Sequence, residues 1–198
     1  MDAPGHIVVL FQLEHETTPI NGVVGRSGAG KDVPRVTFYR HSAGHTAFLR
    51  DDLPEAVRTS ILELSVEHAI NNPETVKAIL DSKLVLPRTT YYFDRAPELQ
   101  DEPEAILRDG RWGILVDGVV ACEAWTAGVN GVAATIRVDT LPEFRGRGYA
   151  RQATAAWVAD VLRAGMIPYY THAIDNLASQ SLARSLGAVE FATGVKYQ

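Results

Sequence analysis

The stretch Arg145-Gly146-Arg147-Gly148-Tyr149-Ala150 lies between a β-branched apolar run and an amphipathic one, so it reads as the turn that opens a helix. The first N–H groups of a helix have no intrahelical partner and converge on a spot that suits an anion. Glycine at 146 and 148 leaves out the Cβ atoms that would hold a phosphate off those groups, while Arg145 and Arg147 add positive charge. That chemistry fits a pyrophosphate. Two other patterns fit a function less well. Gly25-Arg26-Ser27-Gly28-Ala29-Gly30-Lys31-Asp32 approaches a phosphate-binding P-loop, yet Asp32 stands where a magnesium-binding Ser or Thr belongs. Val33-Pro34 then disfavours the helix whose N-terminus would hold the phosphate. His41 and His45 have a four-residue spacing, but Gly44 weakens a helix there and no carboxylate lies between them, so no metal site is expected.

Alone, Arg-x-x-Gly-x-Ala is a weak pattern. Here it is followed, after a further strand run, by Asn176-x-x-Ser179-x-x-Leu182-Ala183-x-x-Leu186-Gly187. The combined arrangement resembles the GNAT superfamily of acetyl-CoA-dependent N-acetyltransferases over about residues 112–195. The resemblance implies a mixed α/β (α+β) fold, with a mostly antiparallel central sheet flanked by helices and an N-terminal elaboration. It also implies acetyl-CoA (coenzyme A) as co-substrate, no metal, and a primary amine as acceptor, either a small molecule or a Lys or N-terminal amine of a peptide. By position it assigns Val138, Asp139 and Thr140 to the strand end facing the pantetheine arm. Arg145, Gly146, Arg147, Gly148, Tyr149 and Ala150 become the pyrophosphate turn, and Asn176 with Ser179 a second contact to the cofactor.

Aminolysis of a thioester needs a neutral amine, stabilisation of the oxyanion and a route for the thiolate to leave. The resemblance implies a backbone N–H near Val138–Thr140 for the oxyanion, a base that is often Glu, and a Tyr acid seven residues after the motif Asn. This chain departs from the last two. Ala183 stands where the Tyr belongs, and Thr135 stands where related sequences often place a Glu. The first departure is tolerable, because a thiol with a pKa of about 8.5 is already a fair leaving group. For the base two substitutes present themselves: Glu123 on the neighbouring strand, and His172 on the strand after the turn's helix, an imidazole being a residue type suited to proton transfer. Each could equally be structural, Glu123 as a solvated sheet residue and His172 as a core histidine. Tyr170 is a reserve candidate for proton donation, and Cys122 reads as inert packing. A catalytically silent acyl-CoA-binding module and a nucleotide-binding protein using the Gly25 loop are the alternatives.

These residues need elements to hold them. Trp112–Val116, Val119–Thr126 and Val132–Thr140 read as an antiparallel meander joined at Asp117-Gly118 and Gly128–Gly131. A helix from Tyr149 to Ala164 ends at Gly165, Ile167–Ala173 is a strand, Asp175 is expected to cap a second helix that ends at Gly187, and Val189–Val195 is a last strand. The earlier part is less regular. Ile7–Leu13 reads as a strand, Glu14–Arg35 as a polar stretch with a hairpin signal at Asn21-Gly22, and Val36–Tyr39 as a strand. A helix capped by Asp52 is expected to run to about Asn71-Asn72, a second starts at Pro73, and Thr89–Phe93 is a strand. Polar, proline-containing residues 96–103 form a candidate linker, dividing residues 1–95, an elaboration on the acceptor side, from a core at 96–198.

Composition sets the outer limits. The chain has 198 residues, 46% hydrophobic and 22% charged, which suits a globular protein with a sizeable core. Nineteen Lys plus Arg against 24 Asp plus Glu give a net charge of −5, so no global field favours nucleic acid. Residues 2–6 carry no basic signal region and Ile7–Leu13 is too short to span a bilayer, so neither secretion nor a membrane is expected. A single cysteine suits a reducing compartment, with the cytoplasm as default. A homodimer is compatible with the sequence but not specified by it.

Overall fold

A computed structural model describes residues 2–15, 23–24, 27–28, 31–82, 85–99 and 104–198. The Asn21-Gly22 hairpin signal, Gly25, Arg26, Ala29 and Gly30 of the P-loop-like stretch, and residues 100–103 of the linker lie outside the described residues. The fold is mixed α/β, with mostly antiparallel strands flanked by helices. It divides into two compact units, one of residues 1–90, 173–175 and 191–198, the other of 91–172 and 176–190. No helix among the described residues is long and apolar enough to cross a membrane.

The first unit begins with helix α1 (Ala3–His15) and short strands β1 (Val23–Val24), β2 (Ser27–Gly28) and β3 (Lys31–Asp32). Strands β4 (Val36–His41) and β5 (Gly44–Arg50) follow, then helices α2 (Glu55–Glu63), α3 (Val66–Asn71) and α4 (Pro73–Leu80), and most of strand β6 (Val85–Tyr92). The final strand β12 (Val189–Tyr197) pairs antiparallel with β4, β4 with β5, and β1 runs parallel to β5. Its core gathers Val36, Phe38, Leu49, Ile61, Val76 and Tyr197.

Residues Ile7–Leu13, expected as a strand, are helical. A short apolar run satisfies either period, and burial of Ile7, Leu10 and Phe11 at i, i+3 and i+4, with Leu13 beside them, is what the helix secures. Asp52 does not cap α2, because its carboxylate is taken by Arg50 Nε at 2.6 Å and Pro54 occupies the cap. Nor does that helix continue to Asn71, since Ser65 accepts from the His68 N–H at 3.0 Å and starts α3 afresh. His41 and His45 lie in the β4–β5 hairpin rather than on a helix, and His41 Nε2 meets Thr46 Oγ1 at 3.0 Å.

In the second unit, β7 (Ile106–Arg108), β8 (Arg111–Val116), β9 (Val119–Val129) and β10 (Ala133–Thr140) form an antiparallel meander. Helix α5 (Tyr149–Arg163) crosses over to β11 (Ile167–Ala173), which runs parallel to β10, and α6 (Leu177–Ser185) leads into β12. Helix α5 packs Ala153, Trp157, Val158 and Val161 onto Ile114, Ala124 and Ala134 of the meander, and Trp157 Nε1 donates to Thr126 Oγ1 at 3.0 Å. Gly165 and Gly187 end their helices with φ of 73° each, the left-handed conformation expected after a helix C-terminus.

Candidate functional site

Strand β10 is paired with β9 along its length but with β11 over only three residues, Ala133–Thr135 against Ile167–Tyr169. A register shift between Thr135 and Ile136 coincides with the end of that parallel ladder. Such irregularities bend and twist a strand. Past Thr135, every second residue of β10 directs its N–H and C=O to a side where the ladder with β11 has ended, which leaves them for a ligand's amides.

A cleft of about 620 Å³ opens there, bounded by Val138, Asp139 and Thr140 of β10, the glycine turn, Tyr170 of β11, and Asn176 and Ser179 at the start of α6. Gly146 and Gly148 have φ of 74° and 82°, values that disfavour any residue with a Cβ, and nothing lies within 4 Å of where a Cβ would stand. The glycines therefore face open space. Gly148 is the N-cap of α5, and its carbonyl accepts from the N–H groups of Arg151 and Gln152 at 3.0 and 3.2 Å. The N–H groups of Tyr149 and Ala150, in the first turn, have no helical carbonyl to reach. Residues 137–151 hold four Arg against Asp139 and Glu143, a local charge of +2 (4 − 2).

The two turn arginines are disposed differently. Arg145 lines the cleft and its Nε donates to the Thr140 carbonyl at 3.2 Å, tying the turn to the strand end. Arg147 lies 5.5 Å over the Phe144 ring and is not among the residues lining the cleft. Arg151, and Leu182 of the motif that follows Asn176, neither of them assigned a contact from the sequence, also line it. Their helical spacing from Gly148 and Ser179 was the available signal. Asn176 caps α6, its Oδ1 accepting from the Ser179 N–H at 3.0 Å, in place of the expected Asp175. The Asn176 amide N–H₂ remains to act as a donor.

The candidate bases sit on opposite faces of the sheet. Glu123 is directly across from Asp139, and alternation sets both on the face away from Val138, with Trp125 and Arg137. Arg111 Nη1 holds the Glu123 carboxylate at 3.0 Å and stacks 4.3 Å over Trp125. Glu123 also lines a second hollow of about 380 Å³ that shares Asp139, Thr140 and Arg145 with the cleft. Tyr169 pairs with Thr135 on that same face, so Tyr170 and His172 fall on the α5 face. His172 is buried, stacks on Tyr91 at 5.5 Å, and meets Tyr170 edge-on at 6.3 Å. Ala183 is fully buried. Thr140 Oγ1 donates to the buried Cys122 sulfur at 3.1 Å, and burial raises that thiol's pKa, in keeping with a packing role. Among the described residues no group of three or more His, Cys, Asp or Glu has the arrangement to hold a metal ion.

The family model for GNAT acetyltransferase matches residues 112–197. Among solved structures, a protein described as a GNAT-family acetyltransferase from Novosphingobium aromaticivorans superposes with a TM-score of 0.50 at 21% identity, covering 59% of this chain and 65% of that one. An acetyltransferase of the GNAT family from Colwellia psychrerythraea gives 0.48 at 11% identity, covering 77% and 75%. A GCN5-related N-acetyltransferase-like protein from Streptococcus suis gives 0.47 at 16% identity, covering 64% and 67%. The chain thus spans under two thirds of the Novosphingobium protein. No curated protein sequence matches.

Proposed function

On the premise that residues 112–197 match the GNAT acetyltransferase family model, we propose that this chain transfers an acetyl group from acetyl-CoA to a primary amine by direct attack in a ternary complex. The observation that carries the proposal is the open space in front of Gly146 and Gly148 at the N-terminus of α5. The N–H groups of Tyr149 and Ala150, with Arg145, hold the pyrophosphate there. The free edge of Val138–Thr140 bonds the pantetheine amides, and an N–H of that edge polarises the thioester carbonyl. Arg147 adds charge from the rim, and Asn176 and Ser179 close the other side of the arm. Glu123 or His172 takes the amine proton, directly or through a water. The acceptor is a small-molecule amine or an amine of a peptide, and a reducing, cytoplasmic setting suits the lone thiol.

Gly148→Glu is the decisive variant, because it joins backbone strain at a φ of 82° to a carboxylate facing the phosphates. Calorimetry with acetyl-CoA should give binding by the native protein and none by the variant. Tight binding by Gly148→Glu would sink the pyrophosphate assignment. Release of free thiol across polyamines, aminoglycosides, amino acids and Lys peptides then identifies the acceptor. The buried Ala183, with no ionisable group, favours a second reading, a silent acyl-CoA-binding module. Acetyl-CoA binding without acceptor-dependent thiol release would select it.

A further inference from the structure

Tyr170 is the first residue of β11 beyond its ladder with β10, and its ring is turned to the α5 face, where it lines the cleft. Only 5% of it is exposed. Ser179, at the start of α6, lines the same cleft, and its hydroxyl is within hydrogen-bonding reach of the Tyr170 oxygen. Ser179 and Ala183 are four residues apart on one helix, so they occupy the same face one turn apart. The phenol therefore meets α6 at Ser179, one turn before the position that Ala183 leaves without chemistry, the two helix positions being roughly 5–6 Å apart between Cβ atoms.

Resting on the acetyltransferase reading, we propose that Tyr170 is the proton donor to the departing sulfur and that Ser179 holds its oxygen in place. As the bond between the acyl carbon and sulfur breaks, the electron pair passes to sulfur and the Tyr170 O–H proton follows it. The phenolate so formed accepts from Ser179 and recovers a proton lost by the amine nitrogen, relayed through water. One proton leaves the amine and one arrives on the thiol, so no further reactant is needed. Burial raises the Tyr170 pKa and Ser179 lowers it in part, so the phenol carries its proton at neutral pH. The neighbouring His172 ring, edge-on at 6.3 Å, is the other ionisable side chain against it in β11.

The test uses coenzyme A with its free thiol, bound to the full chain, and follows thiolate absorbance against pH. A phenol donating to sulfur favours the thiolate, so Tyr170→Phe should lower the ionisation constant of the bound thiol about tenfold, with coenzyme A affinity within about threefold of native. Acceptor-dependent thiol release should fall at least tenfold in kcat with KM for acetyl-CoA unchanged. Ser179→Ala, which keeps the phenol but frees its oxygen, should move the thiol in the same direction by less, and stands in if Tyr170→Phe does not fold. If native protein binds coenzyme A and neither variant shifts the thiol, the role of Tyr170 is overturned while the cofactor site stands. Failure of the native protein to bind coenzyme A overturns both.

Discussion

Arg145 and Arg147 share a turn and a charge but not a task. The Arg145 guanidinium is fixed by the Thr140 carbonyl on the cleft wall, whereas Arg147 spends its charge over the Phe144 ring. A hydrogen bond to a charged group contributes roughly 1.5–3 kcal/mol, so Arg145→Ala should weaken acetyl-CoA binding by about tenfold to a hundredfold. Arg147→Ala should weaken it by severalfold at most, through an exposed and screened charge. Calorimetry at two salt concentrations ranks them, and a larger loss for Arg147 would reverse the assignment. The same scale separates the candidate bases. Glu123 is already paired with Arg111, and His172 is enclosed by Tyr91 and Tyr170. Glu123→Gln or His172→Ala should lower turnover at least tenfold while acetyl-CoA affinity persists. Full turnover by both variants leaves neither as the base.

Among the elements, β12 contains a glycine whose reason is contact rather than conformation. A Cβ at Gly194 would stand 2.7 Å from Tyr39 Cδ1 and 2.9 Å from the Phe38 carbonyl, on the neighbouring strand β4. Backbone cannot yield as a side-chain tip can, so Gly194→Ala should cost about 1–3 kcal/mol, measured as a lowered denaturant midpoint. No periodicity in Val189–Val195 announces that requirement, because the partner strand lies far away in sequence. Elements whose signals are local were readable: the meander, α5, β11, and the glycines that end both cofactor-side helices. Asp109-Gly110, with φ of 50° and 75°, repeats the signature of Asp117-Gly118 and was the overlooked sign of β7. Helix α1 was misread because its apolar run is short and buried almost all round, and neither strand nor helix period then dominates. At the site, the turn was legible because glycine and arginine chemistry is written in one stretch. The pairing of Tyr170 with Ser179, and the opposition of Glu123 and His172 across the sheet, depend on register, which a single strand's sequence does not carry.

At the scale of the whole chain, residues 14 and 196 are brought together in the first unit, where Lys196 and Glu14 form a close, largely buried ion pair. Tyr39 donates to the same carboxylate oxygen at 3.5 Å. Burial alone would raise the Glu14 pKa, but the Lys196 ammonium and its hydrogen bond prevail, with His15 and Arg88 adding to them, and the carboxyl is held below its ordinary value. A group whose folded pKa is depressed contributes stability above its unfolded pKa and loses it as pH falls through the folded one. Acid should therefore loosen the tie between the N-terminal helix and the last strand, starting near the ordinary Glu value of about 4.3 and completing below it. Glu14→Gln leaves a buried ammonium without its counter-ion, which costs roughly 3–5 kcal/mol at neutral pH. Denaturant melts of native protein and variant from pH 7 to pH 3 should converge as Glu14 protonates in the native chain. Curves that stay equally separated throughout would show that this carboxylate does not link acid to unfolding. Replacing both partners with Met removes the charge and its counter-charge together, so that double variant should recover most of the loss and show a flatter acid limb.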